Sequence, residues 1–383
     1  MAIFNEKIIK ITKYDVLGKL PDPFLRADGT RVSSVEEFEE HKKELYKSAV
    51  ELQYGEIPPE PEFLEVETLY IGAKTSTYKI ITGRQEHPVS FTMIVYRPAA
   101  TQEKPPVIID GDLCFDCAFD KEFLGAVLDE NIGFVLFNRT ELAHDVQHEG
   151  RLGQLYECYP EYTFGALAAW AWGYKRCVDA LEKLDLFDMD WIAFTGHSRG
   201  GKTAALAGII DQRAKIVMPN ETCAGSCSCY RIHLSAITED GEGWRSETLA
   251  DLYRNFDFWI GPKMANYTEC EEKLPFDAHY IKSLIAPRIL IVGEAASDIW
   301  SNPVGSWMTS KAAEEVYKLY SCPDNLFWYF RYGYHNHKVE DLKMLVSVIK
   351  HKRDGEPLAE GFFDIPFEEP ELIYDWRCPT VSE

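Results

Sequence analysis

Trp191-Ile192-Ala193-Phe194-Thr195-Gly196-His197-Ser198-Arg199-Gly200-Gly201-Lys202-Thr203-Ala204-Ala205-Leu206-Ala207 is the stretch that decides how this chain is read. A short apolar run leads into Gly196-x-Ser198-x-Gly200, and a row of small residues follows at helical density. Strand, sharp turn and helix form the context in which such a turn holds a serine hydroxyl exposed on a strained bend. Glycines at its first and last positions remove side chains that would collide with strand and helix. The helix beyond offers free N–H groups and the positive end of its dipole to an anion forming on Ser198. The stretch predicts a nucleophilic serine.

Outward from it, short apolar runs alternate with helical patterns. Val107–Asp110, Gly133–Phe137, Lys215–Met218, Ile289–Val292 and Leu326–Phe330 read as buried strands, and Lys121–Glu130 and Tyr162–Leu186 as helices packed on them. Period-two alternation through Val66, Thr68 and Tyr70, then Tyr78, Ile80 and Thr82, then Phe91, Met93 and Val95 predicts antiparallel strands ahead of these. The pattern implies an α/β-hydrolase fold, a mostly parallel central sheet with helices on both faces. Residues 1–60 read as a helical extension packed on a catalytic domain spanning 61–383. Its helix is expected to start at Ser33, with Glu36 completing a capping box, and to stop near Tyr54 before Gly55. The tail from Arg353 is expected to wrap the surface.

With 62 acidic against 40 basic residues, the net charge is −22. That argues against nucleic acid or an anionic membrane as partner, since both demand a basic surface. No apolar run is long enough to span a bilayer, and no basic segment followed by an apolar one opens the chain. A cytoplasmic protein whose ten cysteines are thiols is the expectation. Cys114-x-x-Cys117 and Cys223, Cys227 and Cys229 lack a partner pair at zinc-finger spacing, so no metal and no cofactor are expected. The sequence is silent on oligomeric state.

A serine hydroxyl needs a base, and the base needs a carboxylate to orient it. In this fold they follow in the order serine, acid, histidine. His335, two residues past Gly333 and just beyond the last predicted strand, is the expected base, with His337 as a hydrogen-bonded loop residue. His197 is expected to pack beneath the turn. Glu221, after the strand that follows the serine helix, and Asp298, after the penultimate strand, both qualify as the acid, and spacing does not separate them. Arg199 and Lys202 add two cations at the helix mouth, where Arg199 can stabilise an oxyanion and Lys202 can meet substrate hydroxyls.

At Gly196-His197-Ser198-Arg199-Gly200-Gly201-Lys202 the sequence resembles the glucuronoyl esterases. The likeness extends through Leu20–Phe24, Tyr54–Pro58, Phe164–Gly173, Leu274–Arg288 and Ser297–Pro303. The resemblance implies hydrolysis of (4-O-methyl)glucuronoyl esters, with a small-molecule or oligosaccharide uronate ester as partner. It assigns Ser198 as nucleophile, His335 as base and Arg199 to the oxyanion hole. It places the acid at Glu221, with Asp298 as a second carboxylate, and matches Lys202, Glu247 and Trp300 to positions that contact the uronic acid. The family's Gly/Ser-rich segment after the acid is replaced here by Thr222–Cys229, with three thiols. A sugar deacetylase and a non-catalytic binding protein of the same fold are the alternative readings.

Overall fold

The computed structural model describes residues 10–99, 103–115, 119–237 and 243–379. The chain runs through β1 (Lys10–Val16), α1 (Val35–Tyr46), β2 (Phe63–Ile71), β3 (Thr75–Gly83), β4 (Pro88–Tyr96), β5 (Val107–Asp110), α2 (Lys121–Leu128), β6 (Gly133–Phe137) and α3 (Ala166–Leu184). It continues through β7 (Ile192–His197), α4 (Arg199–Ile210), β8 (Ala214–Asn220), β9 (Ile232–Ile237), β10 (Gly243–Arg245) and α5 (Leu249–Phe256). The last elements are α6 (Ala278–Ile285), β11 (Ile289–Ala295), α7 (Pro303–Leu319), β12 (Leu326–Arg331) and α8 (Val339–Asp354).

Nine strands form the main sheet in the order β12-β11-β8-β7-β5-β6-β4-β3-β2. The six from β12 to β6 are parallel, and β4, β3 and β2 continue the sheet antiparallel. The parallel strands read as nearly unbroken apolar runs because both their faces are covered. Successive side chains point to opposite faces. Ile108, Phe134, Leu136, Ile216, Ile291 and Phe327 therefore pack with Phe123 of α2 and with Leu342 and Leu345 of α8. Their neighbours Val107, Ile109, Val135, Phe194, Val217 and Leu290 join the core that contains α3, α4, α6 and α7. On β3 and β4 buried and half-buried positions alternate instead. Among the described residues no helix is long and apolar enough to cross a membrane.

The first 60 residues differ from a purely helical extension. Lys10–Val16 is a strand, paired antiparallel with β9, and β10 completes a second, three-stranded sheet. The α1 cap is Ser34, whose side chain accepts from the Glu37 N–H, and not Ser33. Ser33 instead gives its N–H and hydroxyl to the Glu37 carboxylate at 2.8 and 3.0 Å. The capping signal is thus shifted by one residue, because two serines stand side by side. Leu20, Phe24, Phe38 and Val50 join the same core as α3 and α4. Trp376 in the C-terminal tail donates to the Leu20 carbonyl at 3.0 Å, so the tail closes over this segment.

Candidate active site

Ser198 sits between β7 and α4 with φ 57° and ψ −119°, the left-handed strain expected of a serine on a sharp strand-to-helix turn. Close packing enforces the glycines. A Cβ on Gly196 would lie 2.5 Å from the Gly200 carbonyl oxygen, and one on Gly200 would lie 2.4 Å from the Asp112 carboxylate. The first N–H groups of α4, which begins directly after Ser198, have no acceptor in their own helix.

The loop after β12 brings His335 to the serine. Its Nε2 lies 2.8 Å from Ser198 Oγ, and its Nδ1 lies 2.6 Å from Asp298 Oδ2 and 3.4 Å from Glu221 Oε2. Both candidate acids therefore reach the same nitrogen. The nearer one is Asp298, whereas the resemblance puts the acid at Glu221. The reason is a zipper between loops: Ala296 and Ser297 donate their N–H groups to the carbonyls of Arg331 and Gly333 at 2.9 and 3.1 Å. The Asp298 loop is thereby held against the His335 loop. Glu221 follows β8 with φ 45°, and its buried carboxylate is committed elsewhere. One oxygen accepts from Arg331, and the other accepts from the Asn336 N–H at 3.2 Å. Burial pushes the Glu221 carboxyl well up, and the Arg331 guanidinium is the largest influence pulling it back.

His197 lies beneath the turn as expected, its Nδ1 3.3 Å from Asn220 Oδ1. Burial, then the neighbouring His337 and His335, push its pKa down to about 3. His337 differs from its expected role as a hydrogen-bonded loop residue. Its ring stacks on His197 at 5.3 Å and meets the edge of Phe123 at 4.9 Å, and neither ring nitrogen has a hydrogen-bond partner among the described residues. His337 is a packing residue.

The helix-mouth cations are paired. Lys202 Nζ lies 3.1 Å from Glu247 Oε2, and both side chains are buried. Glu247, just ahead of α5, donates its N–H to the Trp300 carbonyl at 3.0 Å, so Lys202, Glu247 and the half-buried Trp300 are joined. Arg199 Nη1 lies 3.0 Å from Asp145 Oδ2, and its guanidinium stacks 4.6 Å over Trp259. Trp259 Nε1 donates to the other Asp145 oxygen at 3.0 Å. Behind the turn, Asp112 accepts the His197 N–H at 3.0 Å and pairs with the buried Arg139.

Asp112, Arg139, Asp145, Trp259 and Arg331 are the site residues that sequence reasoning missed. Asp112, Arg139 and Arg331 did carry a signal, since each is charged at the carboxyl end of a buried parallel strand, where sites of such sheets lie. Asp145 and Trp259 carried none, being brought in by loops.

Three groups of donors stand close enough to share a cation: His197, Glu221 and His335; Cys223, Asp298 and His335; and Asp110, Asp112 and His337. The first two engage His335, which is already bonded to Ser198 and Asp298. Cys223, Cys227 and Cys229 are buried thiols that form no common donor group among the described residues. Cys117 lies outside the described residues.

A serine elbow on a sheet of this order defines the α/β-hydrolase class. A family profile described as "Glucuronyl esterase, fungi" matches residues 80–321. A 4-O-methyl-glucuronoyl methylesterase of Wolfiporia cocos is 27% identical over 326 residues, covering 83% of this chain and 76% of its own. The structure is similar to a carbohydrate esterase family 15 glucuronoyl esterase from Caldicellulosiruptor kristjansonii, with TM-score 0.82, 26% identity and coverage of 94% of this chain and 96% of that one. It is also similar to a serine-to-alanine mutant of the Sporotrichum thermophile glucuronoyl esterase in complex with methyl 4-O-methyl-beta-D-glucopyranuronate. There the TM-score is 0.72 and the identity 25%, with coverage of 93% and 94% of the two chains. The chain belongs to the glucuronyl esterase family, and it is a carboxylic ester hydrolase.

Proposed function

We propose that the protein hydrolyses esters of glucuronic acid, including the 4-O-methylated acid, through an acyl-enzyme on Ser198. The observation that carries this reading is the line from Ser198 Oγ through His335 to Asp298, at 2.8 and 2.6 Å, on a chain whose relatives are named glucuronoyl methylesterases. His335 Nε2 takes the Ser198 proton as Oγ attacks the C6 carbonyl carbon. Asp298 fixes the tautomer by accepting from Nδ1 and stabilises the imidazolium that forms, with Glu221 as a second, more distant carboxyl group. The Arg199 N–H at the mouth of α4 and the Arg199 guanidinium meet the oxyanion. Collapse expels the alcohol, which receives the proton from His335. A water then repeats the attack on the acyl carbon, and glucuronate leaves.

Lys202, Glu247 and Trp300 are assigned to the uronic acid's hydroxyls and ring, and the substrate is a small-molecule or oligosaccharide uronate ester. Support comes from their junction beside the serine helix, where a buried ion pair supplies both donors and acceptors. The test compares benzyl glucuronate with an acetylated xylo-oligosaccharide, using Ser198→Ala as the blank. Release of benzyl alcohol that disappears in the variant is expected. Deacetylation without benzyl ester cleavage would replace this reading by a sugar deacetylase, and a wild type inert to a serine-reactive fluorophosphonate would remove the esterase mechanism.

A further inference from the structure

Arg331 is the last residue of β12, where the strand hands over to the loop that carries His335. Its guanidinium donates in two directions. Nη1 donates to the Tyr332 carbonyl at 3.0 Å and to the Tyr334 carbonyl at 3.4 Å, while Nη2 reaches the Asn336 carbonyl. Carbonyls on both sides of His335 therefore converge on one cation. Towards the protein interior, Nε donates to Asp341 Oδ1 and Oδ2 at 2.9 and 3.2 Å, and Nη2 to Glu221 Oε1. Tyr329, two residues before Arg331 on β12, anchors Asp341, its hydroxyl donating to Oδ1 at 2.8 Å. A loop would otherwise wander; this one is wound round a group fixed by the sheet and by α8.

The charges facing Glu221 make that group more than a brace. Asp298 and Glu294 face it from the β11 side and Asp341 from α8, all carboxylates. His335 faces it from the loop and His197 from β7. Among these groups Arg331 is the one fixed cation. The side chains of Glu221, Asp341 and Arg331 are 0%, 0% and 7% exposed, so water screens the cluster little. A carboxylate left in such a place without a cation takes up a proton instead.

We propose that Arg331 is a positioning residue of the hydrolytic site, which sets its guanidinium against Glu221 beside His335 Nδ1 and holds the Tyr332–Asn336 loop in the conformation that aims His335 Nε2 at Ser198. The two duties need a planar fork. A guanidinium presents donors in several fixed directions, whereas an ammonium is a single point of charge. The proposal rests on Ser198 and His335 acting as nucleophile and base.

The test is a set of pH–kcat profiles for wild type, Arg331→Gln, Arg331→Lys, Glu221→Gln and the double variant Arg331→Gln/Glu221→Gln, on benzyl glucuronate, with thermal melting of each. Loss of alignment on the scale of an ångström costs about a hundredfold in rate, so Arg331→Gln is expected to lower kcat by about that factor with KM little changed. Its acid limb moves to higher pH, because Glu221 without the guanidinium stays protonated further up the scale. Adding Glu221→Gln then costs nothing more. Arg331→Lys keeps the limb where wild type has it but lowers kcat, the charge surviving and the fork being lost. An unmoved limb in Arg331→Gln, or losses that multiply in the double variant, would overturn the proposal. If Arg331→Gln shows no cooperative melt, Arg331→Lys decides: a kcat equal to wild type refutes the positioning role. Should wild type leave uronate esters untouched, the substrate reading falls separately, and the rate of fluorophosphonate labelling at Ser198 reads the same variants.

Discussion

The two sides of Ser198 carry different arrangements of charge. On the His335 side, Glu221 and Asp341 pair with the Arg331 guanidinium while Asp298 and Glu221 face the His335 imidazole, so three carboxyl groups share one guanidinium and one imidazole. On the helix-mouth side each cation has its own carboxylate, Lys202 with Glu247 and Arg199 with Asp145. A carboxylate hydrogen-bonded to Nδ1 fixes the orientation of the imidazole, which suits a base. A neutral pair presents donors and acceptors already desolvated and oriented, which suits recognition of hydroxyls. Charge is thus distributed unevenly around Ser198, with carboxyl groups gathered beside His335 and ion pairs at the mouth of α4.

The sharpest way to break this comparison is to remove the anions singly. Asp298→Asn is expected to lower kcat by about 10⁴-fold, since a misoriented base loses on that order. Glu221→Gln should lose less, because its oxygen stands 3.4 Å from Nδ1 against 2.6 Å for Asp298. Steady-state kinetics of both variants check this, and the reverse order would make Glu221 the orienting acid. Next in size comes the neutral side. Lys202→Met leaves a carboxylate buried without its cation, which costs about 3 kcal/mol or more, readable as a lower urea midpoint. The double variant Lys202→Met/Glu247→Leu should recover most of that loss, and an equally low midpoint would show that the pair contributes through packing and not charge.

The last expected effect concerns acid. His197, with a pKa near 3, stays neutral when folded but takes a proton when unfolded. The unfolded state binds more protons between the ordinary histidine value and about 3, so stability falls as pH falls through that window. His197→Phe should flatten the slope of stability against pH from about 6.5 to 4, measured by denaturant titration at several pH values. An unchanged slope would mean that the ring protonates in place.

How far the site was legible from sequence varies by residue. Ser198 and His335 were readable because each is tied to local structure, one to a strand–turn–helix and the other to the first loop past the last core strand. The acid was not: Glu221 and Asp298 both follow strand ends, and only the hydrogen bonds between the loops after β11 and β12 set which stands nearer. His337 looked like a polar loop residue, yet stacking on His197 makes it part of the wall under the base. The strand Ile232–Ile237 carried a weak pattern, and its partner Lys10–Val16 lies more than two hundred residues away, so no local reading could join them.

By itself the sequence determined the elbow, the buried parallel strands and the α/β-hydrolase class, because these follow from backbone sterics and from hydrophobic periods that act over a few residues. Its resemblance determined the family. Tertiary structure alone decided how charge is distributed around Ser198. Arg331 meets Glu221 across two strands' ends, Asp145 meets Arg199 from a loop, and Lys202 meets Glu247 beside α5. Whether a buried charge is an acid's brace, a binding group or a neutral pair depends on its partner in space, and that partner is chosen by the packing of the sheet and its loops.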